Sequence, residues 1–123
     1  MGKKTILIVD DEANVRLLMR SILSADYYVV EAGDGNEAVV AAKKHKPDLI
    51  LMDIMMPEVD GYTACSAIRQ DERLRNTPIL MVSCLGLPLN KTLAEQLGAR
   101  GYITKPFKAE ELLNAIKKEL PAT

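Results

Sequence analysis

Apolar positions along the chain fall into two alternating rhythms. Short aliphatic and β-branched runs at residues 5–9, 27–32, 49–52, 79–82 and 101–104 predict five strands. The segments between them repeat their apolar residues at a period near 3.6 and predict five helices. Val15, Leu18, Met19 and Ile22 form one such stripe in the first helix, and Leu112, Leu113, Ile116 and Leu120 another in a last helix over about 109–120. The second helix opens at Asp34, whose carboxylate can cap free amides with Glu37 as its capping-box partner, and continues through Val39 and Val40. A third follows Asp60 and Gly61, and a fourth over about 90–97 stops at Gly98, a residue free to take the left-handed conformation that ends helices. In the last helix Glu110 and Glu111 sit near the positive end and Lys117 and Lys118 near the negative end.

The runs at 49–52 and 79–82 are apolar without alternation, as expected of central parallel strands covered on both faces. Alternating strands and helices of this kind predict a doubly wound α/β fold with a five-stranded parallel sheet. At 123 residues and 48% apolar composition the chain is long enough for one domain, expected to span 1–123, with residues 121–123 as a short tail.

A net charge of -1 removes the basic surplus that a nucleic-acid backbone or an anionic membrane would reward, so neither is expected as a partner. The first apolar run is too short for a signal-peptide core and runs into Asp10, Asp11 and Glu12, so a soluble, cytoplasmic protein is expected. Cys65 and Cys84 are far apart, and His45, set in a lysine-rich loop, is the only histidine, which excludes a zinc site. Both cysteines read as small hydrophobes and His45 as a solvated side chain. Arg69, Arg73 and Arg75 read as a solvated face compensating the dipole of the third helix.

Chemistry concentrates at the carboxyl ends of the strands, where ligands collect in open parallel sheets. The first strand delivers Asp10 and Asp11, the third Asp53, the fourth Ser83 and the fifth Lys105. Three carboxylates at one edge repel one another, so the site must raise their pKa values or recruit a cation. The ligands on offer, including the backbone carbonyl of Met55, are hard oxygens, which favours magnesium or manganese. The first strand-to-helix loop has no glycine and three negative charges, so a phosphate could enter only with a metal. Lys105 and Ser83 could then share its oxygens while Asp53 attacks in line as nucleophile.

Asp10-Asp11, the segment from Asp53 through Met55, Met56 and Pro57 to Asp60-Gly61, Ser83, and Tyr102 through Lys105 to Pro106-Phe107 resemble the receiver domain of bacterial response regulators (CheY-like) over nearly the whole chain. The resemblance implies strand order 2-1-3-4-5, a cis Lys105-Pro106 peptide, and phosphoryl transfer to Asp53 from a histidine kinase or a histidine phosphotransfer protein. It implies that Asp11 ligates magnesium directly and Asp10 often through water. It further implies that Ser83 moves toward the phosphoryl group and that Tyr102 turns inward as a switch aromatic. A downstream effector protein would read the resulting surface of the fourth helix, fifth strand and fifth helix. Tyr102 can also be read simply as a strand aromatic with its hydroxyl in water.

Cys84 departs from the family's usual alanine, and its bulk could hinder the Ser83 shift. Met55 and Leu85, the flanking positions, are apolar and cannot orient a water, so self-dephosphorylation is expected to be slow; Met55 can equally be read as covering the site. The chain is expected to be a regulator rather than an enzyme, monomeric or a weak phosphorylation-dependent dimer. Two rivals remain: a magnesium-dependent phosphatase, which wants a second acid where Met55 stands, and a docking module that keeps the fold without the switch.

Overall fold

The computed structural model describes residues 2–84 and 89–121. The predicted strands and helices all form: β1 Thr5–Val9, α1 Ala13–Leu23, β2 Tyr28–Ala32, α2 Gly35–His45, β3 Leu49–Asp53, α3 Gly61–Arg69, β4 Ile79–Cys84, α4 Lys91–Gln96, β5 Ala99–Lys105 and α5 Ala109–Glu119. A 3-10 turn, Glu72–Leu74, precedes β4 and has no counterpart among the expected elements. The strands are parallel in the order β2-β1-β3-β4-β5. Sequence order therefore reverses at β1, and a crevice is expected between the ends of β1 and β3.

Side chains of each strand alternate between two cores, because successive residues point to opposite faces. Leu7, Val9, Ile50, Met52, Ile79 and Met81 meet Ala38, Ala42, Ala64, Ile68 and Ala94 of α2, α3 and α4. Ile6, Ile8, Leu49, Leu51, Leu80 and Val82 meet Met19, Leu23, Leu112 and Ile116 of α1 and α5. With both faces covered, β3 is buried along its whole length. That accounts for its uninterrupted apolar run.

Most helix ends obey their local signals. Asp34, Asp60 and Asn90 cap α2, α3 and α4 by accepting from the amides of Glu37, Thr63 and Leu93 at 2.8, 2.8 and 3.0 Å. Gly98 closes α4 at φ +80°, as expected. Glu111 accepts from the Lys108 amide at 2.8 Å and secures the start of α5. The Lys105-Pro106 peptide is cis.

Several expectations need correction. Leu18 is 49% exposed, while Val15, Met19 and Ile22 face the core as expected and Leu23 joins them, so the inward stripe of α1 runs without Leu18. Val39 and Val40 lie within α2 as expected, and Val40 is 66% exposed while the small residues Ala38 and Ala42 are buried on the helix's other side. Glu37 accepts from the Gly33 amide at 3.1 Å rather than from Asp34, so the capping box is not closed in the expected way. His45 belongs to the last turn of α2, not to a loop, although it is exposed as expected; Lys46 ends that helix in the left-handed region.

Arg69 is not solvated. Its guanidinium donates to the carbonyls of Leu97, Leu74, Arg75 and Gly98 at 2.8 to 3.2 Å, tying α3 to the ends of α4 and of the 3-10 turn. Arg73 is exposed and pairs with Asp71 at 2.8 Å rather than serving the α3 dipole. Cys65 is buried and Cys84 half-buried, and both thiols are free.

Candidate functional site

The crevice is built from strand ends. β1 carries the chain into Asp10, whose amide still donates to the Ala32 carbonyl at 3.2 Å, so the residue is an extension of the ladder with β2. Its carboxylate turns inward and is fully buried. Oδ1 accepts from the Glu12 amide at 2.9 Å and Oδ2 from Lys105 Nζ at 2.7 Å. A hydrogen bond from Arg16 Nη1 to the Asp10 carbonyl at 2.7 Å completes the set. All polar atoms of Asp10 are thus engaged.

Asp53 ends β3 and is 2% exposed. Its Oδ1 lies 3.6 Å from Lys105 Nζ, within ion-pair range but too far for a hydrogen bond. Among the described residues it is the one fully buried side-chain oxygen or nitrogen without a hydrogen-bond partner. Burial, followed by the neighbouring charge of Asp10, pushes the Asp53 carboxyl up to about 6; Lys105 opposes this and Asp11 adds to it. Burial alone would lower the Lys105 ammonium, but the Asp10 hydrogen bond and the charges of Asp53 and Asp10 outweigh it, so Lys105 is held above the ordinary lysine range. Its charge is secure, and it is shared by two carboxylates.

Asp11 and Glu12 stand exposed at the mouth. One carboxylate oxygen from each of Asp10, Asp11 and Glu12 falls within 4.8 Å of the others, a spacing that could hold a metal ion. Glu12 adds to the ligands expected from the sequence, and its signal there is its place as the third acid of the loop after Asp10 and Asp11. Asp53 is outside this tight trio and joins the site through Lys105, which stands between it and Asp10.

Backbone packing explains how Asp53 keeps its place. Gly61 opens α3 directly against β3, where an added Cβ would collide with the Asp53 carbonyl oxygen, and its amide donates to the Ile54 carbonyl at 2.9 Å. Only glycine permits so close an approach. On the other side Val82 is the β4 partner of Asp53, so Ser83 comes one residue beyond it, buried and opposite Thr104. Cys84 is the strand partner of Lys105. Met55 follows in the loop after β3 with its side chain 58% exposed, while Leu85 lies outside the described residues. Tyr102 sits on β5, the edge strand, opposite Met81; it is half-buried and packs partly on the core beneath α4.

A response regulator receiver domain model matches residues 6–117. The chain belongs to the response regulator receiver family. Chemotaxis protein CheY of Bacillus subtilis is 45% identical over 118 residues, covering 94% of this chain and 96% of that protein. A probable transcriptional regulator, ycf27 of Guillardia theta, is 41% identical over 122 residues, 98% of this chain and 47% of the relative. The receiver thus spans about half the length of several curated relatives it matches. Among solved structures, chemotaxis protein CheY4 of Vibrio cholerae superposes with a TM-score of 0.90 at 34% identity, over 95% of this chain and 98% of that one. The receiver domain of the sensor histidine kinase PA1611 from Pseudomonas aeruginosa PAO1 gives 0.88 at 31% identity, over 98% and 100%, and holds a magnesium ion in its active-site cleft.

The receiver fold, its strand order and its place in two-component signalling therefore stand as expected. The crevice gathers Asp10, Asp11, Asp53 and Lys105 into one electrostatic unit. Ser83 lies beside it on β4, and Tyr102 lies farther along β5, three residues before Lys105. Among the described residues no helix is long and apolar enough to cross a membrane.

Proposed function

We propose that this receiver accepts a phosphoryl group on Asp53, supplied by a histidine kinase or a histidine phosphotransfer protein. The observation that carries the reading is the buried Asp53 Oδ1, unpartnered beside the Lys105 ammonium at 3.6 Å. An oxygen that forgoes a hydrogen bond inside a protein costs about 1–3 kcal/mol, a cost tolerated where the group has work to do. In the transfer, that carboxylate forms a new P–O bond as the donor's P–N bond breaks, and the bonding pair leaves with the imidazole nitrogen.

The residues fit a divalent cation: four carboxylates face a single ammonium, and the donors are hard oxygens. Asp11, with Asp10, Asp53 and the Met55 carbonyl, would hold Mg2+, or Mn2+ in its place. When bound, the ion would neutralise the carboxylates and the charge on the transferring phosphoryl group. Lys105, already anchored on Asp10, is placed to turn its remaining donors to phosphoryl oxygens. Ser83 would move inward to donate its hydroxyl, and Tyr102 would turn into the vacated space. That would remodel the α4-β5-α5 surface for an effector protein.

The receiver acts as a regulator, not an enzyme, and by itself touches neither nucleic acid nor membrane; it works as a monomer or a weak phosphorylation-dependent dimer in the cytoplasm. Its phosphorylated form is expected to be long-lived, because the apolar Met55 side chain cannot orient a water. Met55→Asn should shorten the lifetime severalfold in a decay assay on the phosphorylated protein, and an unchanged lifetime would count against this account.

Intact mass after incubation with acetyl phosphate tests the central assignment. One added phosphoryl group is expected on the wild type with Mg2+, and none without the metal or in Asp53→Asn. Stoichiometric incorporation in Asp53→Asn would overturn it.

A further inference from the structure

Arg16 spans two elements at the rim of the crevice. From the second turn of α1, Nη1 donates to the Asp10 carbonyl at 2.7 Å and Nε to Glu31 Oε1 on β2 at 3.0 Å. Arg20, one turn further on, donates through Nε to Glu31 Oε2 at 2.5 Å and through Nη2 to the Val29 carbonyl at 3.3 Å, and makes no hydrogen bond to Asp10. Burial would raise the Glu31 carboxyl, but the two guanidinium groups outweigh it and hold it below the ordinary range. Glu31 is therefore a charged anchor for both arginines.

The Asp10 carbonyl belongs to the same planar unit as the Asp11 amide and Cα, so holding that oxygen fixes the plane from which the Asp11 side chain departs. Asp10 has its own carboxylate partners, whereas Asp11 is exposed and no hydrogen bond among the described residues restrains its side chain. Its aim depends on the peptide. A guanidinium released beside Asp10, Asp11 and Glu12 would also pair with them and compete with a cation; Arg16, held by Glu31 and the Asp10 carbonyl, makes no hydrogen bond to those carboxylates. We propose that Arg16, held by Glu31, is a positioning residue that fixes the Asp10–Asp11 peptide so that Asp10 and Asp11 converge on one divalent cation. This rests on the metal reading above.

Charge and bracing predict opposite signs. Removing a cation beside a metal site strengthens metal binding if charge alone matters, and Arg20→Met measures that baseline, since it removes the same charge from the same anchor. Mg2+ is titrated calorimetrically into metal-free wild type, Arg16→Met, Arg20→Met and Glu31→Gln, with folding checked by circular dichroism. Arg16→Met is expected to bind about 10-fold more weakly, the range seen when the support of a metal ligand is lost. Arg20→Met should match or slightly exceed the wild type, and Glu31→Gln should follow Arg16→Met. If Arg16→Met binds as tightly as Arg20→Met, the positioning role is overturned and the metal reading stands. If the wild type itself takes up no Mg2+, both are overturned.

Discussion

The sheet has a cation packed at each of its two edges, and the two are used in opposite ways. At the amino-terminal edge Arg69 spreads its guanidinium over four backbone carbonyls, and nearby Asp48 and Thr5 exchange hydrogen bonds at 2.8 Å each. Donors and acceptors there are matched. At the carboxyl-terminal edge Lys105 faces Asp10 and Asp53 with Asp11 and Glu12 close by, and an oxygen of Asp53 is left without a partner. One edge is arranged for stability. The other holds an excess of negative charge that folding alone would not select, and the two hydrophobic cores must offset it.

The largest effect should come from breaking the contrast at Lys105. Lys105→Met leaves the buried Asp10 carboxylate without its ion-pair partner, and removal of one member of a buried pair costs about 3–5 kcal/mol. Urea denaturation at pH 8 in metal-free buffer should show that loss, and Mg2+ should restore part of it by supplying positive charge. A variant as stable as the wild type would mean that water already screens the site.

Asp53→Asn should move stability the other way. The folded carboxyl sits at about 6 against an ordinary 3.8, so between those values the folded state binds more protons than the unfolded one. Stability from this group is therefore lost as pH rises from about 4 through 6, and stays lost above. A shift of about two units corresponds to about 3 kcal/mol. In metal-free buffer Asp53→Asn should exceed the wild type by about 2–3 kcal/mol at pH 8 and lack this component of the pH slope. Denaturation curves at pH 5 and pH 8 decide it.

The contrast between the edges also marks what could be read from the sequence. Asp10, Asp11, Asp53, Ser83 and Lys105 were legible because strand ends are local features, and the sheet order carries them to one place. The side facing the sheet was less legible in α1 and α2. Leu18 and Val40 lie outward because contact with the sheet is set by neighbouring elements, and small residues such as Ala38 and Ala42 can serve as the buried face. Gly61 hid its role for a similar reason: it appeared as a helix start, while its constraint comes from the Asp53 backbone eight residues earlier but across a fold in the chain. Arg16 and Arg69 gave no signal at all. An arginine bonded to carbonyls looks in sequence like an arginine in water, since its partners are main-chain atoms that every residue has.

Arg69 supplies the last test of the comparison, and the smallest expected effect. Arg69→Met keeps much of the aliphatic stem but withdraws donors from the carbonyls of Leu74, Arg75, Leu97 and Gly98. Some of those oxygens can turn to water, so the cost should be about 2 kcal/mol rather than the sum of the lost bonds. Burial lowers the Arg69 guanidinium from its ordinary range, with the Arg100 charge acting the same way, yet it remains charged throughout the accessible pH range. The loss should accordingly be the same at pH 5 and pH 8, and Mg2+ should not reverse it. Hydrogen exchange should locate it, with protection falling first where α4 ends against Gly98. If Mg2+ instead restored Arg69→Met as it restores Lys105→Met, the two edges would be energetically coupled through α3, whose first residue rests on Asp53 and whose last is Arg69.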